Sequence, residues 1–200
     1  VTGNGEIRLR ASGEAAATQG YPVVVDGETI GLVDGYTVSF EHVFVSLASF
    51  EVARRGEMPE AVALTPVVVD LAAGDPALGT FTLPEGRYTQ AGYTTSVPGA
   101  DAQRLGDVPA SAVEAMRDAG HAIHVVGTAR HGDDVFRFDF GFPPVRQTNC
   151  VGADGTPGFV VRPSGVHDLE LTFHLDLLFL DSLASDEPAM RFEPLAASAI

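Results

Sequence analysis

Short stretches of alternating hydrophobic and polar residues, separated by Gly, Pro and Asp, run through most of this chain. Ile7, Leu9 and Ala11 alternate with Arg8 and Arg10. Period two places one set on a buried face and the other toward water, which predicts a strand. Asp26-Gly27 separates Val23-Val24-Val25 from a segment containing Ile30, the signal for a tight hairpin turn. From Tyr36 the even positions Val38, Phe40, His42 and Phe44 share a face, and after Val43 both faces turn apolar. That change predicts a strand entering a covered core or passing a bulge. Pro66 to Leu71 is a further strand. Phe81-Thr82-Leu83 leads into a Pro84-Glu85-Gly86-Arg87 turn, after which Arg87 to Val97 is expected to return as its partner.

One segment reads as a helix. Ser111-Ala112-Val113-Glu114 fits a capping box, and Gly120 is a natural stop. Extended structure resumes from His121 to Thr128. Phe136, Phe138, Phe140 and Phe142 then make a core-facing aromatic stripe. Pro143 to Gly158 reads as a long loop and Gly158 to Pro163 as a short strand. Val166 to Leu180 is the longest alternating segment, with Leu169, Leu171, Phe173, Leu175, Leu177 and Phe179 opposite Asp168, Glu170, Thr172, His174 and Asp176. The tail beyond Ser185 has the composition of a short helix. These elements predict an all-β chain, an antiparallel β-sandwich with one short excursion helix, forming a single domain over residues 1–200.

Composition agrees with a packed domain. Hydrophobic residues make up 45% of the chain, too many for a disordered one. No apolar run approaches the roughly 18 residues of a membrane-spanning helix. The net charge is −15, and all twelve basic residues are Arg. Acidity of this degree lacks the basic footprint of nucleic-acid binding and disfavours anionic membrane surfaces, while its field attracts divalent cations. Cys150 is the sole cysteine, so it has no partner for an intrachain disulfide. The small polar opening Val1-Thr2-Gly3-Asn4-Gly5 resembles a tether left by a removed leader.

The sharpest candidate chemistry is His174-Leu175-Asp176, followed by Asp181. On a strand, residues i and i+2 project from one face about 6–7 Å apart. Imidazole and carboxylate can then converge on one zinc or copper ion. His42, His124 and His131 are the candidates to complete the shell. His121 and His124, three apart, would face opposite ways on a strand. His131-Gly132-Asp133-Asp134 reads as a turn able to supply ligands, and Asp34-Gly35 and Asp154-Gly155 as turns. Signatures of zinc proteases, phosphate-binding loops and serine hydrolases are absent from the sequence. The paired carboxylates Asp168 and Glu170 leave a hydrolase as an outside reading, weakened by the absence of Trp to stack on sugar rings.

Gly13-Glu14, Asp34-Gly35-Tyr36 and His174-Leu175-Asp176-Leu177-Leu178-Phe179-Leu180-Asp181 together resemble a family of uncharacterised secreted lipoproteins of GC-rich bacteria. That group carries an early Gly-Glu, an Asp-Gly-aromatic strand start and a late His-x-Asp-His-x-Phe-x-Asp segment. The second His of the motif is missing here, and Leu177 alters its facing. Val69-Asp70-Leu71 through Leu83-Pro84-Glu85-Gly86-Arg87-Tyr88-Thr89 also resembles a wider group of β-sandwich lipoprotein domains. The resemblance implies a sandwich, export to the periplasm or cell surface, and a removed N-terminal lipid anchor. It implies no activity. Two functions are thus expected: an extracytoplasmic, non-catalytic ion-binding protein, or a cofactor-free module that binds an envelope protein.

Overall fold

The computed structural model describes residues 3–62, 64–148, 150, 155–182 and 188–196. The alternating first segment is strand β1 (Asn4–Ser12), with Ile7, Leu9 and Ala11 at most 1% exposed. Helix α1 (Glu14–Gln19) follows, a short element that hydrophobic periodicity does not reveal. The hairpin β2 (Val23–Val25) and β3 (Glu28–Ile30) turns through Asp26 and Gly27, at φ 52° and 84°. Both angles are left-handed, as a two-residue turn of this kind requires. The next strands are β4 (Thr37–Arg54), β5 (Glu60–Val62), β6 (Val67–Asp70), β7 (Ala77–Pro84), β8 (Gly86–Thr95) and β9 (Gln103–Arg104). Helix α2 (Ala110–Ala119) precedes β10 (Ile123–His131), β11 (Asp134–Phe142), β12 (Arg146–Gln147), β13 (Phe159–Val161) and β14 (Val166–Thr172). A short helix, α3 (Glu193–Ala196), completes the described elements.

The architecture is an all-β sandwich. The smaller sheet runs β14–β1–β7, with β1 parallel to β14 and antiparallel to β7. The larger runs β11–β10–β4–β6–β9, with β5 and β8 on the second half of β4 and with β12 and β13 on β8. Ile7 and Leu9 from one sheet and Val43, Val45, Leu47, Phe50 and Phe138 from the other belong to one buried cluster. The four-Phe stripe of β11 faces this core as expected, with Phe138 fully buried. On the opposite face of the large sheet, Val113 and Met116 of α2 pack on Phe44, Val68 and Val108. Among the described residues no helix is long and apolar enough to cross a membrane.

Strand β4 is buried on both faces at its middle, and bulges explain how. The β10 partner shifts between Val126 and Gly127, which oppose His42 and Phe40, so Glu41 is skipped. A second shift against β8 falls between Leu47 and Ser49. An extra residue in one strand reverses the facing of everything after it. Core positions therefore run Val38, Phe40, then Val43, Val45, Leu47, then Phe50, Val52. His42, expected on the Val38/Phe40 face, is carried to the other side beside Phe44.

Four local expectations are corrected. Strand β8 does not return along β7; it crosses to the large sheet and pairs with β4, which links the two layers. The capping box at Ser111 does not form, because Pro109 at φ −68° starts the helix earlier and Ser111 is already inside its first turn. His121 is not on a strand but in the C-terminal cap of α2. The strand expected over Val166–Leu180 ends at Thr172. Phe173 donates its amide to Ser12 O at 2.8 Å, and there β1 ends as the chain turns into α1. With no strand left to pair, Leu175–Leu178 winds into a 3-10 turn.

Candidate functional site

The bulge in β4 and the register of three strands assemble a polar face on the α2 side of the large sheet. His42, Val126 and Asp139 lie opposite one another across β4, β10 and β11; Phe44, His124 and Gly141 form the adjacent row. Cross-strand partners share a face, so these six positions look the same way. Asp70 of β6 joins the second row opposite Phe44.

Each strand histidine on this face is held by a carboxylate. His42 Nδ1 lies 2.7 Å from Asp70 Oδ2, and its ring stacks on Phe44 at 4.7 Å. Asp70 Oδ1 also accepts from the amides of Val43 at 2.9 Å and Ala72 at 3.1 Å. One carboxylate thus pins the bulge, the His42 ring and the turn after β6. His124 Nε2 lies 2.6 Å from Asp139 Oδ1. In the neutral ring whose Nε2–H donates to Asp139, Nδ1 is the lone-pair nitrogen. That Nδ1 is buried and has no partner among the described residues.

His121 comes up beside it. Gly120, at φ 73° and ψ 24°, ends α2 in the left-handed conformation, and the His121 amide donates to Met116 O at 2.8 Å. This six-to-one bond of a helix C-cap turns His121 away from strand geometry. The facing rule that separates i and i+3 on a strand therefore fails here. The His121 and His124 ring centroids are 5.9 Å apart. Gly141, the cross-strand partner of His124, makes the room: a β-carbon there would lie 1.8 Å from His121 Cε1 and 2.0 Å from Nδ1.

Two imidazoles bound to one zinc ion have nitrogens about 2.0–2.1 Å from it, which sets their ring centres roughly 5–6 Å apart at tetrahedral or wider angles. The pair fits such an ion on three counts: ring separation, an orphaned nitrogen, and a carboxylate fixing the opposite nitrogen. A carboxylate behind a metal-binding histidine is the usual way such a ring is oriented. The pair offers two imidazoles, and among the described residues no group of three His, Cys, Asp or Glu side chains is placed to hold an ion.

The six residues singled out from sequence are not brought together. His174 precedes the 3-10 turn, with Nδ1 3.5 Å from Glu14 Oε2, both side chains about half exposed. Asp176, inside that turn, lies close enough to Tyr21 that, after burial, its charge is the next cause raising the Tyr21 phenol above its usual range. Asp181 accepts from the Ala189 amide at 3.1 Å and from Arg191 Nε at 3.2 Å, and these bonds hold its carboxyl below the ordinary range. His131 stacks on Tyr36 at 4.9 Å, at the far end of β10. His42 and His124 share the polar face, with Phe44 between their rings.

Other candidates have structural employment. Asp34 Oδ2 accepts from the Phe192 and Glu193 amides and so ties down the C-terminal segment. Asp168 and Glu170 oppose Arg8 and Arg10 across β1 and β14, and Glu170 is ion-paired with Arg10. Burial raises the Cys150 thiol, the opposite of what a reactive cysteine needs. Asp154 lies outside the described residues. Sequence pattern does not single out Asp70, Asp139 or Gly141, and strand spacing keeps His121 apart from His124. The Gly120 stop is the one signal in the sequence that His121 belongs to a cap. Comparison with protein-family models, curated proteins and solved structures finds no match for this chain.

Proposed function

We propose that this chain is a non-catalytic binding domain, working outside the cytoplasm, that takes a zinc or copper ion between His121 and His124. The observation that carries the reading is the buried, unpartnered Nδ1 of His124, whose other ring nitrogen is held by Asp139. Leaving a buried polar atom unpaired costs about 1–3 kcal/mol, and a bound cation would relieve that cost. Imidazole nitrogens suit zinc and copper better than calcium or magnesium, which take oxygen. Two protein ligands leave open positions, which suits carrying or sensing an exchangeable ion. The acidic net charge of −15 raises the local concentration of cations. Export rests on the sequence resemblance to secreted lipoproteins.

Calorimetric titration of tag-free protein with zinc and with copper(II) tests the proposal. One ion should bind per chain. His124→Ala should abolish that binding, Gly141→Ala should weaken it by displacing His121, and His174→Ala should leave it unchanged. Loss in His174→Ala with retention in His124→Ala would move the site to the 3-10 turn and refute this placement.

A further inference from the structure

Among the described residues strand β11 is the end strand of the large sheet, and its outer edge carries a symmetric pattern of charges. The β10–β11 hairpin turns through Gly132 and Asp133, so His131 and Asp134 form its closing hydrogen-bonded pair. Alternation from that pair assigns the backbone groups of Phe136, Phe138 and Phe140 to β10. Those of Val135, Arg137, Asp139 and Gly141 point away from it. None of these outward groups bonds to a backbone or side-chain partner among the described residues. The edge is nine residues long, contains no Pro, and keeps an unbroken register with β10. Of the devices that usually protect such an edge, namely a bulge, a proline, a covering segment or charged side chains, the described residues of β11 show only the charges of Asp134, Arg137 and Asp139.

The residues around Phe138 are arranged symmetrically. Arg137 and Asp139 stand at one step on either side, Phe136 and Phe140 at two, Val135 and Gly141 at three. An antiparallel, two-fold pairing centred on Phe138 would set Arg137 opposite Asp139 of a second copy, twice. It would also continue the Phe stripe across the join. The backbone parity agrees, because Arg137 and Asp139 are both outward-bonding residues and would exchange N–H and C=O directly. Their side chains are 59% and 48% exposed. Arg137 already touches Glu41 at 3.3 Å and Asp139 touches His124. A guanidinium has donors, and a carboxylate has a second oxygen, for one more partner each. Parallel in-register pairing would instead stack like charges.

We infer that the chain forms a two-fold dimer through β11, joining two large sheets edge to edge, with a second copy of this chain as the partner. Each copy carries −15, so salt screens the repulsion between copies as well as the Arg137–Asp139 attractions; at about 0.15 M the screening length is roughly 8 Å.

Sedimentation equilibrium at about 0.15 M salt and above tests this over a range of concentration. The wild-type chain should approach twice its 20.9 kDa mass. Arg137→Asp and Asp139→Arg each place like charges opposite one another twice, and each alone should dimerise on the order of tenfold more weakly. Mixed together, the two variants set the introduced aspartate against the introduced arginine, and the unchanged Arg137 of one against the unchanged Asp139 of the other. The mixture should therefore recover the dimer. Circular dichroism checks that each variant is folded. Recovery on mixing separates the pairing from any structural role of either residue. A monomer at every concentration overturns the inference, as does a dimer indifferent to Arg137→Asp or two weakened variants that do not recover on mixing. Zinc titration of Arg137→Asp, which touches neither His121 nor His124, reads the ion proposal independently.

Discussion

His124 shows how much turns on the environment of a single ring. Its Nε2 is fixed by Asp139 and its Nδ1 is shut away from water, while His42 on the same face is held through Nδ1 and remains 45% exposed. Similar carboxylate contacts therefore leave two rings with different free nitrogens in different surroundings. Asp181 makes a comparable point with a carboxylate. The Ala189 amide and then the Arg191 side chain favour its ionised form and lower its pKa below 3.8. A carboxyl depressed in the folded state adds stability above its unfolded pKa and loses that contribution as pH falls through the folded value. Wild type should thus be more stable than Asp181→Asn near neutrality, and the two should converge below about pH 4, as followed by urea midpoints across an acid series. The gain is small, because the group is exposed and screened. At this scale the sequence pattern set His174 beside Asp176, whereas β14 ends at Thr172, before both of them. His174 and Asp176 look adjacent only on a strand, and no strand exists there for β14 to follow.

At the scale of elements, the decisive features are the places where period two breaks. The loss of alternation after Val43 was legible, and it marks a real bulge and a covered face. The direction in which the bulge sends His42 was not legible, since a skipped residue can fall on either side of it. Asp70 is what holds the bulge in place. Asp70→Ala would strip the Val43 and Ala72 amides of their acceptor and release the His42 ring, in a side chain only 12% exposed. Loss of about 2–3 kcal/mol in urea unfolding is expected, against less than about 1 kcal/mol for His42→Ala. Helix α2 was visible through Gly120, whereas α1, six residues long and Ala-rich, offered no periodicity to detect. The hairpin at Asp26-Gly27 and the turn at Gly132-Asp133 were legible because their turn chemistry is local.

For the whole molecule, alternation and turn residues specify the sandwich, because every strand needs one face buried and the two sheets supply it to each other. The connections were harder to read. Nothing in the Pro84-to-Arg87 turn distinguishes a hairpin from a crossing between layers, and the parallel union of β1 and β14 joins residues about 160 positions apart. Long-range pairing of this kind decides which side chains become neighbours, so any site assembled from several strands lies beyond local pattern. The polar face is such a site: β4 brings His42, β6 Asp70, β10 His124, β11 Asp139 and Gly141, and the end of α2 brings His121. Ion binding between the last-named histidine and His124 is the claim on which the functional account stands. Its most direct measurement is a long-range proton–nitrogen NMR spectrum of the six imidazoles during zinc titration. The account predicts that Nδ1 of His124 and one nitrogen of His121 shift together at the first equivalent, while His174 and His131 hold still. First-equivalent shifts at His174 or His131, with His121 and His124 unmoved, would contradict it.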